Sequence, residues 1–228
     1  MSVFRELQAG LAPLFRRDRQ RAWFVIPALM LLLALFWQQT VHAERTPQAA
    51  VTTVGLAVLL LGALPLLVAR MAGMSASELG FTRGDSAFGW RVTLLSVPVV
   101  VLVAWFAALD PRFAAVYPWP GGLIGASGAA FATWALIYAL YYAAYESFFR
   151  GVLLASVVPY AGVAAGIWLQ TVASFLFHLG KPFPELVASL PAGLLFGVIM
   201  VRSRSLLWPI LIHVLLGVLT DLFIVMRA

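Results

Sequence analysis

Residues 127–151 read SGAAFATWALIYALYYAAYESFFRG. From Ser127 to Tyr145 the segment carries no acidic or basic side chain, and it is long enough to cross a hydrocarbon core, which takes about 20 residues. Glu146 and Arg150 then follow without any turn signal, so the charges fall inside the apolar run. A charge at that depth costs at least about 2.5 kcal/mol and marks a functional position by default. This stretch decides the fold: a helix in lipid whose second half faces something other than lipid.

Outward from it, apolar runs of spanning length recur at about 22–38, 50–69, 92–109, 161–178, 186–201 and 206–225. With 127–149 they make seven. Prolines such as Pro27 are tolerated inside such spans when neighbouring helices satisfy the freed backbone. Segment 113–126 could add an eighth by dipping into the membrane. The fold expected is all-α: a polytopic transmembrane helix bundle of about seven spans plus an N-terminal interfacial helix. Residues 1–21 read as that basic amphipathic surface helix. Residues 22–125 form spans one to three, and residues 126–228 the catalytic-like spans four to seven of one integrated bundle.

The composition agrees. Of 228 residues, 63% are hydrophobic and 11% charged, against about half and a quarter in soluble domains. There is no cysteine, which excludes disulfide and thiolate chemistry. The formal charge is +6, and fourteen of the fifteen basic residues are Arg. They gather in the N-terminal arm and in alternate loops (Arg70, Arg83, Arg91; Arg202, Arg204). The bias predicts a cytoplasmic N-terminus in a plasma membrane of bacterial inner-membrane type. It suits a lipid bilayer surface rather than nucleic acid, for which no aromatic-interleaved basic patch exists.

Three spans bring polar groups to the interior. With a rise of about 1.5 Å per residue, Glu146 comes out roughly 15 Å deep, His213 roughly 10–12 Å and His178 roughly 20–24 Å from the same face. Tyr142, Glu146 and Arg150 share a helical face at i, i+4, i+8, as do His213, Gly217 and Asp221. Gly217 leaves room for another helix or a substrate backbone, and Gly193 with Gly197 permits close helix approach. A carboxylate in low dielectric can act as a general base on water. Histidines beside it can stabilise an oxyanion or protonate a leaving amine. Each group also has a plain structural reading. Glu146–Arg150 would be an ion pair that lets both enter the bundle, and each His an interhelical hydrogen-bonder. Lys181–Glu185 would be a solvated loop pair, unless Glu185 supports His178, and Asp221 would face water at a helix end. Trp37, Trp119 and Trp208 read as an interfacial belt. A His₂Glu zinc site through Glu146, His178 and His213 is the chemical rival; no H-E-x-x-H run supports it, and a site with no cofactor is favoured mainly by the resemblance that follows.

The run Glu146-Ser-Phe-Phe-Arg150-Gly151, followed by the His178 and His213 segments, resembles the CPBP family of intramembrane glutamic endopeptidases, the CAAX prenyl protease 2, bacteriocin-processing and abortive-infection type. Its signature is E-E-x-x-x-R, then a His ending an apolar span, then H-x-x-x-N or similar. The resemblance covers roughly residues 125–225. Glu146 matches the second Glu, Arg150 the Arg, and His178 and His213 the two histidines. Tyr145 stands for the first Glu, Ser174 for the usual Phe, and Gly217 for the Asn. The resemblance implies an intramembrane endopeptidase acting on a membrane protein or lipid-anchored peptide. Glu146, His178 and His213 would be catalytic, with Arg150, Tyr145, Glu185, Gly217 and Asp221 in support. The departures at 145 and 217 favour a second reading, a pseudoprotease that binds or chaperones a membrane partner. A small transporter or proton relay is the third, although the two halves show no repeat.

Overall fold

The structure is a computed structural model that describes residues 17–40 and 45–227. Every regular element among them is helical. The helices are α1 (Arg17–Thr40), α2 (Pro47–Met71), α3 (Ser86–Leu109), α4 (Gly128–Glu146), α5 (Leu154–Phe177), α6 (Phe183–Ser203) and α7 (Leu207–Val225). Five uninterrupted helical stretches are long and apolar enough to cross a membrane, and α1 carries a shorter apolar stretch, Ala28–Trp37. One of the five, Gly128–Phe177, is 50 residues long, far more than a bilayer needs. It doubles back at Gly162, whose φ of 85° and ψ of 166° break the helix. Glycine reaches that positive φ without a Cβ clash. The chain is thus a multi-pass membrane protein with seven helical arms, as its hydropathy predicts. Of the expected surface helix, residues 1–16 lie outside the described residues, while residues 17–21 belong to α1.

The connections segregate to two opposite ends. At one end, the Asp85 amide donates to the Ser203 carbonyl, the Leu206 amide to Gly80, and the Thr82 hydroxyl to Arg204. At the other, Arg45 donates to the carbonyls of Ala114, Ala115 and Tyr117, and Lys181 to the Tyr117 hydroxyl. The end bearing Arg70, Arg83, Arg202 and Arg204 is the one the charge bias predicts to be cytoplasmic. The segment 113–126 does not cross. It folds into a short helix, Pro111–Ala114, and a 3₁₀ turn, Gly121–Ala126. Between them Trp119 packs on Trp134, Tyr138 and Tyr141.

Two features of α4 to α7 shape the interior. Between α4 and α5 the chain widens into a π-helical turn, Ser147–Leu153, every residue of which is buried. Such turns alter which side chains face inward and recur at functional sites. Gly193 and Gly197 let α6 approach α5 closely, as their spacing predicts. A Cβ at Gly193 would stand 2.9 Å from Thr171, and one at Gly197 2.8 Å from Gln170. Gln170 uses the proximity to donate to the Gly193 carbonyl at 2.8 Å. Trp208 does not join an interfacial belt. It is 2% exposed, because Gly89 of α3 presents no side chain against its indole.

Candidate active site

α4 with its π turn, the end of α5, the start of α6 and α7 surround a cavity of about 390 Å³. Arg150, Tyr142 and Tyr145 line it from the first, Ser174 and His178 from α5 and its cap, and His213, Gly217 and Asp221 from α7. The acid and the two imidazoles foreseen in the sequence do come to one place, but in unequal positions. Glu146 is fully buried and does not line the cavity. Its Oε1 lies 2.6 Å from His213 Nδ1, and its Oε2 3.2 Å from Arg150 Nε. The carboxylate therefore stands behind His213, held between an imidazole and a guanidinium.

This geometry fixes tautomers. A ring nitrogen at hydrogen-bond distance from a carboxylate must carry the proton, so His213 Nδ1 is N–H and Nε2 holds the lone pair. His178 Nδ1 lies 2.7 Å from the Ser174 carbonyl, which forces the same assignment. In the neutral ring this tautomer gives both histidines a lone pair on Nε2. Arg150 is 1% exposed, with its guanidinium carbon 5.6 Å, 5.8 Å and 5.5 Å from the Tyr145, Phe149 and Phe196 ring centroids. Its Nη1 is buried without a hydrogen-bond partner.

Tyr145 occupies the centre. Its ring centroid is 6.1 Å from that of His178 and 5.3 Å from that of His213, and its hydroxyl is 2.6 Å from Ser174 Oγ. Ser174 therefore orients two site residues, one through its side chain and one through its backbone carbonyl. Only its departure from the family pattern drew attention to it in the sequence. Gly217 does not hold open space. A Cβ there would collide with the Tyr142 hydroxyl, and the Tyr142 ring lies tilted against the His213 ring, with centroids 4.4 Å apart.

The outer end of the cavity holds the remaining candidates. Asp221 does not face bulk water: it is 1% exposed, and Trp134 Nε1 donates to its Oδ2 at 2.7 Å. Glu185 does not reach His178. Its Oε1 accepts from the Tyr117 hydroxyl at 2.7 Å, and that hydroxyl in turn accepts from Lys181 at 3.1 Å. Lys181 and Glu185 are thus joined through a buried phenol rather than solvated. Burial pushes the Lys181 ammonium below its ordinary pKa, while Glu185 and Asp221 pull it back up. Burial and then the neighbouring Glu185 hold the Tyr117 phenol well above its usual range.

Among the described residues no three His, Cys, Asp or Glu side chains are grouped to hold a metal ion. The Glu146 carboxylate is already taken up by His213 and Arg150.

Residues 128–219 match the family model described as Type II CAAX prenyl endopeptidase Rce1-like. The match covers well under half of the chain, and over that segment the chain is similar to the CAAX protease family. The matched span contains Glu146, Arg150, His178 and His213 and ends two residues before Asp221. No curated protein and no solved structure matches the chain. This similarity supports an intramembrane CAAX-type protease.

Proposed function

We propose that the protein is an intramembrane endopeptidase in which Glu146 acts through His213. The single observation that carries this reading is the 2.6 Å contact between Glu146 Oε1 and His213 Nδ1, with His213 lining the cavity and Glu146 behind it. A carboxylate behind an imidazole fixes its tautomer and stabilises the imidazolium that forms when the ring takes a proton. Water in the cavity would lose its proton to His213 Nε2 as its oxygen attacks the peptide carbonyl. Arg150 Nη1, which has no other partner, would donate to the developing oxyanion. The proton on His213 then passes to the leaving amine as the C–N bond breaks. His178, the other imidazole lining the cavity, would position the attacking water or the leaving group. The substrate would be a membrane-associated peptide or protein terminus. A lateral route would pass Val103 and Phe106 of α3, which line the cavity and are exposed.

Glu146→Gln and His213→Ala should each abolish processing of a native substrate while the protein still inserts. Wild-type rates in both would overturn the reading.

One observation favours the second reading, a partner-binding pseudoprotease. Tyr145, not a carboxylate, stands between the two imidazoles. Tyr145→Glu decides between them: if the wild-type protein is inert and the variant cleaves, the native protein binds without cutting.

A further inference from the structure

The outer end of the cavity holds more negative than positive charge. Glu185 and Asp221 both line it, and each keeps one carboxylate oxygen, Oε2 and Oδ1, buried without a hydrogen-bond partner. Their other oxygens are satisfied by Tyr117 and Trp134. The cation facing these two acids is Lys181, whose ammonium is bound to the Tyr117 hydroxyl and lies 5.0 Å and 4.9 Å from the Tyr117 and Trp119 ring centroids. Asp110 also lines the cavity but is paired with Arg112 at 2.6 Å. Arg45 spends its guanidinium on backbone carbonyls. Two carboxylates against one ammonium leave room for one further positive charge. The walls that would receive it are Tyr117, Tyr138 and Tyr142, and aromatic faces attract cations within about 6 Å. A buried carboxylate without a full set of partners is costly, and a ligand that donates to it removes that cost.

We infer that the Glu185–Asp221 end of the cavity is a subsite for a single cationic group, an ammonium or guanidinium, carried by the substrate or partner. The inference rests on the endopeptidase reading only for what the cation is attached to. There it assigns the substrate class: a membrane-associated peptide with a basic side chain or free amine, placed between the membrane surface and the histidines. Under the binding reading the same subsite would select a basic partner.

The test measures binding and needs no turnover. The full chain, held in detergent or nanodiscs, is titrated with n-butylguanidinium and with its neutral counterpart n-butylurea. The readout is intrinsic tryptophan fluorescence, since Trp134 is bonded to Asp221. The cation should bind saturably and the urea should not. Asp221→Asn, which retains an acceptor for the Trp134 indole, and Glu185→Gln should each weaken binding by about tenfold or more. Glu146→Gln should leave it unchanged, which separates this subsite from the proposed catalytic dyad. Equal binding of the neutral probe, or undiminished binding in both Asp221→Asn and Glu185→Gln, would overturn the inference. If Asp221→Asn does not fold, Glu185→Gln alone decides. Amine binding with no proteolysis by the wild-type protein would refute the endopeptidase reading while leaving the subsite standing.

Discussion

The two ends of the cavity handle buried charge in opposite ways. At the inner end, Glu146 has a hydrogen bond from His213 on one oxygen and, on the other, an ion pair with Arg150 at 3.2 Å but no hydrogen bond, and it does not line the cavity. At the outer end, Glu185 and Asp221 line the cavity, and each has one oxygen occupied and one free. Burying an ion costs several kcal/mol even after relaxation, so both arrangements need a reason to persist. A fully paired carboxylate cannot take a new ligand, but it can hold a neighbour rigidly in one tautomer. A half-paired carboxylate holds nothing completely and can accept a donor. The contrast teaches that a buried acid's role follows from what its second oxygen does.

The largest expected effect comes from breaking the inner end. Glu146→Gln takes the charge from behind His213 and should lower processing by about 10²–10⁴-fold, the usual contribution of a positioned acid–base group. It also leaves Arg150 buried without a counter-charge, which costs roughly 3–5 kcal/mol. Melting temperature must therefore be read beside activity. The double variant Glu146→Gln/Arg150→Met removes both charges and should recover most of the stability but none of the activity. Activity restored together with stability would show that the pair serves folding alone.

The boundary between the two ends is sharpened by Gly217→Ala. The added Cβ would collide with the Tyr142 hydroxyl, so the phenol or the α4–α7 spacing must shift. Overpacking of this kind costs roughly 1–3 kcal/mol. Because the Tyr142 ring packs against His213, a fall in kcat should accompany the lower melting temperature. Unchanged values of both would mean that α7 moves away freely.

Much of this was legible in the chain. The seven helices among the described residues follow from hydropathy, because a bilayer demands long apolar runs whatever the tertiary packing. Glu146, Arg150, His178 and His213 stood out because ionisable groups are rare at such depth. Rank among them was not legible. Helical spacing put Tyr142, Glu146 and Arg150 on one face, but only Tyr142 and Arg150 line the cavity, because the Glu146 carboxylate is engaged by His213 and Arg150 behind it. The partners of Glu185 and Asp221 were equally hidden. Tyr117 and Trp134 come from distant parts of the chain, and no local periodicity reports such contacts. Trp208 misled for the same reason: its burial depends on a glycine in another helix.

The smallest effect concerns the link between Tyr145 and Ser174. Ser174→Ala removes the hydroxyl that meets Tyr145 at 2.6 Å but keeps the backbone carbonyl that orients His178. It should cost about 1 kcal/mol, the net worth of one such bond. Tyr145→Phe should cost about the same, and the double variant no more than either alone, since both remove one interaction. Coupling measured from the melting temperatures of the wild type and the three variants should then be about 1 kcal/mol, within the range found for interhelical hydrogen bonds in membrane proteins. If the bond only braces helices, kcat stays at the wild-type value in all three variants. If Tyr145 also sets the spacing of the imidazoles on either side of it, kcat falls a few-fold in each, with KM unchanged.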